Sequence, residues 1–438
     1  VTHPPQSQHL LPRGAPALRI HRAEGVYVYD TEGRRYLDGS AGPLAANLGH
    51  SVPEILAAME RQLRLATFAH GSEFVSAAQE RAAELLVSFA PPGLSSVFFV
   101  SGGSEATEAA LKLARQYWVD AGRPGKYKIV GKRASYHGAT LGALAASGFA
   151  SRQAPYEPLL LPFPHIPEVY CRRCPFGLTY GRCALECATA LEETIRREGA
   201  ETVAAVIVEP VSGAANAAVV PPPEYLPLLR EICTRHEVLL IADEVMTGLG
   251  RTGANFAVDH WGVVPDILVC AKGLGAGYMP IGAVVAHERI ARTILRGSGR
   301  FLHGHTYAGN PLACATAAAV LAYLRDHDLV AAARAKGDLL RRELEPLRDH
   351  PAVADVRGIG LMWGVEFEPP QDHPAASSPA AAVVASALRH GLLVYPAGGA
   401  LPGSVPNQIL VGPPLTIAEP ELVLLGRLLR ASVAQAFA

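Results

Sequence analysis

This chain has almost no excess charge: 39 Lys and Arg stand against 40 Asp and Glu in 438 residues, a net charge of −1. Nothing in that balance pulls the protein toward nucleic acid or an anionic membrane surface, and neither partner is expected. Long apolar runs are also missing. The longest, around residues 313–324, is interrupted by Thr316 and too short to span a bilayer. Only 18% of residues are charged and 49% are hydrophobic, which suits a compact soluble protein and argues against general disorder. Seven cysteines in a chain this long do not make a disulfide scaffold. Residues 1–17, rich in Pro, His and Gln, lack the apolar middle of a signal peptide and read as a flexible arm. A cytoplasmic location is the expectation.

What is present is an alternation of short apolar runs with longer helical patterns. Alternating residues 25–30, a turn at Thr31-Glu-Gly33 and residues 35–38 predict an N-terminal hairpin. Residues 51–65 have helical period, with Pro53 near the start. Strand-like runs at 97–100, 127–130, 203–208, 238–242, 267–270 and 281–286 then alternate with helical patterns at 104–118, 138–146 and 225–236. Continuous apolar strands between helices predict an α/β fold whose mostly parallel sheet is covered on both faces. Helical patterns at 311–324 and 332–347 follow, then strand-like residues 361–367, a Pro/Ser/Ala-rich loop at 369–379, another helix, strand-like 391–395 and 408–411, and a final amphipathic helix. The expected division is an arm and hairpin over 1–50 packing on the C-terminal part, a large domain over 51–320 and a small α+β domain over 321–438.

Candidate chemistry sits at the strand ends. Asp243-Glu244 closes the run 238–242, where open α/β sheets bind ligands; a helix cap or surface turn is the alternative. Lys272 closes the next strand, flanked by Cys270-Ala271 and the glycines 273, 275 and 277. A desolvated lysine loses part of its ammonium preference and becomes a Schiff-base nucleophile. Ser101-Gly-Gly-Ser104-Glu105 follows the strand at 97–100 and opens a helix, so its free amides and the Ser104 hydroxyl form a phosphate cradle or an ordinary capped turn. A cradle, a carboxylate and an amine on three strand ends meet the needs of pyridoxal phosphate: donors for the phosphate, a partner for the pyridine nitrogen, and an amine for the aldehyde. Tyr136 supplies an aromatic face for the ring.

In order along the chain stand Ser101-Gly-Gly-Ser-Glu-Ala106, Tyr136-His-Gly138, Val208-Glu-Pro210, Asp243-Glu-Val245, Gly248-Leu-Gly-Arg-Thr-Gly253, Ala271-Lys-Gly-Leu-Gly275 and His303-Gly-His-Thr306. Together they resemble the class III (ω-amino acid type) aminotransferases, of fold type I among pyridoxal-phosphate enzymes, over nearly the whole chain. The resemblance implies that Lys272 holds the cofactor as a Schiff base and shuttles the substrate proton. It also implies that Asp243 pairs with the pyridinium, that Val245 and Tyr136 pack on the two ring faces, and that Gly103 and Ser104 hold the phosphate. Thr306 is implied to reach the phosphate of a neighbouring subunit, making a homodimer with shared sites, and Glu209 to lie near the ring. The implied activity moves an amino group from an amine or ω-amino acid to a 2-oxo acid by a ping-pong scheme. An epimerase, aminomutase or decarboxylase would share the same cofactor residues.

Departures from the family pattern bear on the substrate. An arginine and its glutamate partner, common in members that use 2-oxoglutarate, are replaced by Leu410 and Ala214, which is self-consistent because neither charge is left unpaired. Tyr395 and Leu44 stand where the amine–pyruvate branch often has a mobile arginine and a tryptophan. Pyruvate is therefore expected over 2-oxoglutarate, and a bulky or ω-amino donor is expected. Cys171, Cys174, Cys183 and Cys187 have spacing that Zn²⁺ or an iron–sulfur cluster accepts; reduced packing cysteines are the other reading. The glycines of 248–253 match a dinucleotide fingerprint literally, but a nicotinamide enzyme leaves Lys272 and the 101–105 turn without a use.

Overall fold

The computed structural model describes residues 11, 18–368 and 378–438. The expected arm at 1–17, Leu11 aside, and most of the loop at 369–379 lie outside the described residues. The central sheet runs in the order Leu94–Val100, Gly282–His287, Ile267–Cys270, Leu239–Asp243, Val203–Val208, Lys128–Lys132, His165–Ile166. From Ile267–Cys270 onward every neighbour is parallel. All six residues of Val203–Val208 are buried, as in a strand covered on both faces, and this is why the sequence shows unbroken apolar runs there. The helix Gly103–Asp120 packs on this sheet through Ala106, Ala109, Ala110, Leu113 and Ala114. Small residues on that face let the helix backbone approach the strands closely.

One strand departs from the parallel pattern. Gly282–His287 is antiparallel to both its neighbours. The connection from Ile267–Cys270 is the short stretch 271–281, which holds only the 3₁₀ turn Lys272–Leu274. A parallel return needs a crossover of a dozen or more residues, so the chain turns straight back instead. Two four-stranded sheets complete the fold. Ile20–Glu24, Tyr27–Asp30 and Arg35–Asp38 form an antiparallel meander that Leu392–Leu393 extends in parallel. Val353–Ile359, Met362–Phe367, Gln408–Val411 and Tyr395–Ala397 form an antiparallel sheet, and the helices Leu329–Leu344, Pro379–Arg389 and Glu419–Ala436 bury leucines and valines in the same core. No described helix is long and apolar enough to cross a membrane.

The glycine loop at 248–253 has a structural use. Arg251 is fully buried and donates from Nη1 to the Leu361 carbonyl at 3.0 Å and the Pro413 carbonyl at 2.6 Å, and from Nη2 to Asn47 Oδ1 at 2.7 Å. One guanidinium thus ties three segments far apart in sequence. A dinucleotide site would have a long helix opening directly on the glycines; the element that follows here is the 3₁₀ turn Ala257–Trp261. Replacing Arg251 by methionine leaves those three acceptors unpaired, and the expected loss of stability is about 3 kcal/mol or more. The midpoint of denaturant unfolding of the cofactor-free protein measures it. A midpoint equal to that of the unaltered chain would remove this role.

Candidate active site

Five strand ends deliver their side chains to one cavity of about 660 Å³, lined by residues that include Gly103, Ser104, Tyr136, Glu209, Asp243 and Lys272. The strand Leu94–Val100 is parallel in sense to Ile267–Cys270 because two antiparallel steps separate them, so its C-terminal end reaches the same edge. At that edge the chain passes into the helix Gly103–Asp120, whose first intrahelical bond runs from the Ala106 amide to the Gly102 carbonyl. The amides before it have no partner within the helix, and Gly103 and Ser104, which carry two of them, line the cavity. Ser104 Oγ accepts the Ala139 amide at 3.0 Å, which leaves its own hydrogen to donate. Two glycines keep the cradle open. A Cβ on Gly103 would stand 3.1 Å from Val245 Cγ1, and one on Gly138, whose φ is +142°, would stand 2.8 Å from Ser104 Cα.

Asp243 ends the strand Leu239–Asp243 and is buried. Its Oδ1 accepts the Val245 amide at 3.0 Å, and its Oδ2 lies 2.6 Å from Nδ1 of the buried His137. A carboxylate only accepts, so the histidine presents an Nδ1–H to it. His137 is held in turn by its amide on Ser147 Oγ at 2.8 Å and by Thr107 Oγ1 donating to its carbonyl at 2.8 Å. The neighbouring Glu244 does not line the cavity. It accepts from the Val258 amide and Thr247 Oγ1, and burial pushes its pKa up to about 7. Strand alternation separates the two adjacent carboxylates.

Lys272 lies just beyond the strand Ile267–Cys270 with φ +38°, a left-handed conformation that is rare for a side-chain-bearing residue. Burial lowers its pKa to about 8 against the opposing pull of Asp243 and Glu209, and Arg152 lowers it further. Glu209, after Val203–Val208, accepts the Gly213 amide on Oε1 at 3.0 Å, while its buried Oε2 has no partner among the described residues. Burial raises its pKa, and Lys132 opposes the shift. Val245 and Tyr136 both line the cavity. These features fit pyridoxal phosphate: a glycine-lined cradle that an added Cβ would crowd, a hydrogen-bonded carboxylate in the cleft, an amine with a depressed pKa and an orphaned carboxylate oxygen.

Thr306 is the one expected site residue that does not line this cavity; it is exposed. Its loop neighbours Tyr307, Gly309 and Asn310 line an adjoining cavity of about 250 Å³ that shares Ser101, Met279, Pro280 and Ile281 with the first. Ala214 and Tyr395 line the main cavity, whereas Leu410 is fully buried in the strand beside Tyr395 and does not. Sequence reasoning missed three groups. His137 stood inside a motif already singled out, but only the fold brings it to Asp243. Met246 and Met279 add apolar walls, and Arg152 brings a guanidinium to the cavity from the short helix Ala150–Gln153.

The four clustered cysteines line one small cavity of about 20 Å³ with Tyr170, Phe176, Leu178 and Tyr180 among its walls. Among the described residues no group of three or more His, Cys, Asp or Glu is arranged to hold a metal ion. All seven cysteines are free thiols, and burial raises the pKa of Cys171 and pushes that of Cys187 up to about 11. The structure therefore does not support the metal reading of this segment.

The family model of the class III aminotransferases matches residues 11–429. The chain is 39% identical over 410 residues to the uncharacterized aminotransferase YodT of Bacillus subtilis, covering 92% of each chain. It is 36% identical over 323 residues to a putrescine–pyruvate aminotransferase of Pseudomonas aeruginosa, covering 72% of this chain and 69% of that one. Its fold superposes with a TM-score of 0.91 on an amine transaminase from an uncultivated Pseudomonas species in the PLP-bound form, at 36% identity and with 99% of each chain covered.

Proposed function

This chain belongs to the class III aminotransferase family, and from that premise we propose that it moves an amino group from an amine or ω-amino acid to pyruvate, in preference to 2-oxoglutarate, by a ping-pong scheme. The observation that carries the reading is the convergence of Lys272, Asp243 and the Gly103–Ser104 cradle on one cavity. Pyridoxal phosphate, when bound, supplies an aldehyde that condenses with amines and a ring that draws electrons from the carbon losing its proton. Ser104 and the Gly103 amide bind the phosphate at the start of the helix Gly103–Asp120, where the helix dipole favours negative charge. Thr306 of the partner subunit completes that cradle in a homodimer, which accounts for a polar loop that is exposed in the single chain. Asp243, oriented by His137 and the Val245 amide, holds a proton on the ring nitrogen. Val245 and Tyr136 bound the ring on its two faces. Lys272 would anchor the cofactor's aldehyde and, as an amine matched to near-neutral pH, would move the substrate proton. Seven reduced thiols suit a cytoplasmic protein.

The acceptor preference rests on charge. 2-Oxoglutarate carries two carboxylates, and Leu410 and Ala214 occupy the places where the family's arginine and glutamate would stand. The name of the Pseudomonas aeruginosa relative likewise pairs a diamine with pyruvate. An amine donor should bleach the cofactor's visible band in the first half-reaction, and pyruvate should restore it. The expected kcat/KM for pyruvate exceeds that for 2-oxoglutarate by about tenfold or more, the cost of one carboxylate without a charged partner. Equal or better turnover with 2-oxoglutarate would overturn the preference; a band that no amine donor bleaches would overturn the transamination reading.

A further inference from the structure

With Leu410 and Tyr395 at the usual arginine positions, a 2-oxo acid still brings one carboxylate into the cavity. The described charged residues lining it are Glu209, Asp243, Lys272 and Arg152, with the imidazole of His137 beside them. Asp243 is bonded to His137, Glu209 is an acid, and Lys272 is the amine that reacts. Arg152 remains, and its setting differs from that of the protein's structural arginines.

Its carrier is fixed. The Ala150 amide donates to the Ala400 carbonyl at 2.9 Å, Ser151 Oγ to the Gly399 carbonyl at 3.2 Å, and Gln153 Nε2 to the Ser147 carbonyl at 2.7 Å. The guanidinium carbon lies 4.4 Å from the Tyr136 ring centroid and 4.6 Å from that of Phe149. Two aromatic faces thus hold the guanidinium without using its N–H donors. Arg152 forms no ion pair and no side-chain hydrogen bond with any described residue. By contrast, Arg357 bonds to Glu366, Asp355 and Tyr170, and Arg251 to three oxygens. The positive field of Arg152 is felt inside the site, where it helps to lower the pKa of Lys272. A planar cation with all five donors free, stacked on the tyrosine that borders the reacting centre, is shaped for a bidentate carboxylate.

We propose that Arg152 is the specificity-determining residue that binds the carboxylate of the 2-oxo acid acceptor and of the amino acid it becomes. The substrate class follows: short 2-oxo acids with a single carboxylate, whose remaining chain meets the apolar walls formed by Met246, Met279 and Tyr395. The inference rests on the transamination reading above, and the test separates the two. Amine-loaded enzyme is reacted with pyruvate and, separately, with butanal, an acceptor without a carboxylate. For Arg152→Gln the ratio of kcat/KM for pyruvate to that for butanal should fall about 10- to 100-fold, the value of a charge-assisted pair, mainly through the KM for pyruvate. Arg152→Lys should recover part of the ratio, because it returns the charge without the fork. Arg152 is exposed and unpaired in the single chain, so its replacement leaves no buried charge behind. An unchanged ratio in both variants, with transamination intact, overturns the assignment and leaves the family activity standing. A loss of cofactor retention with the ratio preserved also overturns it, by assigning Arg152 to the phosphate. If the unaltered enzyme transaminates neither acceptor from any donor, both readings fall together.

Discussion

Lys272→Ala should end turnover and remove the visible band of cofactor held through that amine, while the chain stays folded. The residue lies at a strand end in a left-handed backbone conformation, in a cavity that depresses its pKa to about 8. Proton transfer by a positioned group contributes about 10²–10⁴-fold, and loss of the covalent anchor adds to that. Cofactor can remain bound without the amine, because the cradle at Gly103 and Ser104 is untouched. The unaltered protein gives a companion result. Below a pH of about 8 the amine is mostly protonated and a poor nucleophile, so cofactor capture by the cofactor-free chain should speed up as pH rises through that value and then level off. A Lys272→Ala protein that keeps the band would end the assignment. The same variant tests the shared site. Paired with a Thr306→Ala chain in one dimer, both lesions fall in one site and the other site is whole, so mixed dimers should regain activity that neither parent homodimer shows fully, with the intact sites turning over faster than those of Thr306→Ala homodimers. An active monomer, or no recovery on mixing, would exclude Thr306 from the partner's site.

Asp243→Asn carries the second large effect. Asparagine keeps the shape and can still accept the Val245 amide, but its NH2 cannot accept the His137 Nδ1–H, so the chain should still fold with some loss of stability that a parallel unfolding measurement separates from the rate effect. What is lost is the negative charge, held in place by His137, that on the proposed role would pair with the ring nitrogen. Without it the pyridine is no longer held protonated, and the electrons left behind by the departing proton have no sink. A preorganised electrostatic partner of this kind is worth about 10²–10³-fold in rate. Single-turnover reaction with an amine donor isolates that step, and a rate within about threefold of the unaltered enzyme would show that Asp243 does not act on the ring.

Asp243 and Lys272 were legible in the sequence because each ends an apolar run, and the ends of buried parallel strands meet at one edge. The 101–105 turn was legible because glycines between a strand and a helix leave amides exposed. These are local signals, fixed by the chain's own periodicity within a few residues. The parallel sheet followed from the same unbroken apolar runs. Other features have no local signature. His137 meets Asp243 across 106 positions, and nothing in the spacing of either residue records that contact. The glycines of 248–253 match a dinucleotide fingerprint that nothing else in the sequence supports, but their actual use, placing Arg251 to clamp Asn47, Leu361 and Pro413, has no signature in the spacing. The spacing of the four cysteines suited a metal, yet spacing along a chain does not set the angles between thiols.

The alternation of strand and helix, and the placing of Asp243 and Lys272 at strand ends, follow from the chain's own pattern, because backbone sterics and burial act within one element. The tertiary structure alone decided which charges share a cavity. It turned the strand Gly282–His287 back on its neighbour, buried Leu410 in the strand beside Tyr395, and set Arg152 on the faces of Tyr136 and Phe149 with its donors free of any described residue. Those outcomes depend on how separate elements pack, and packing is a property of the whole core.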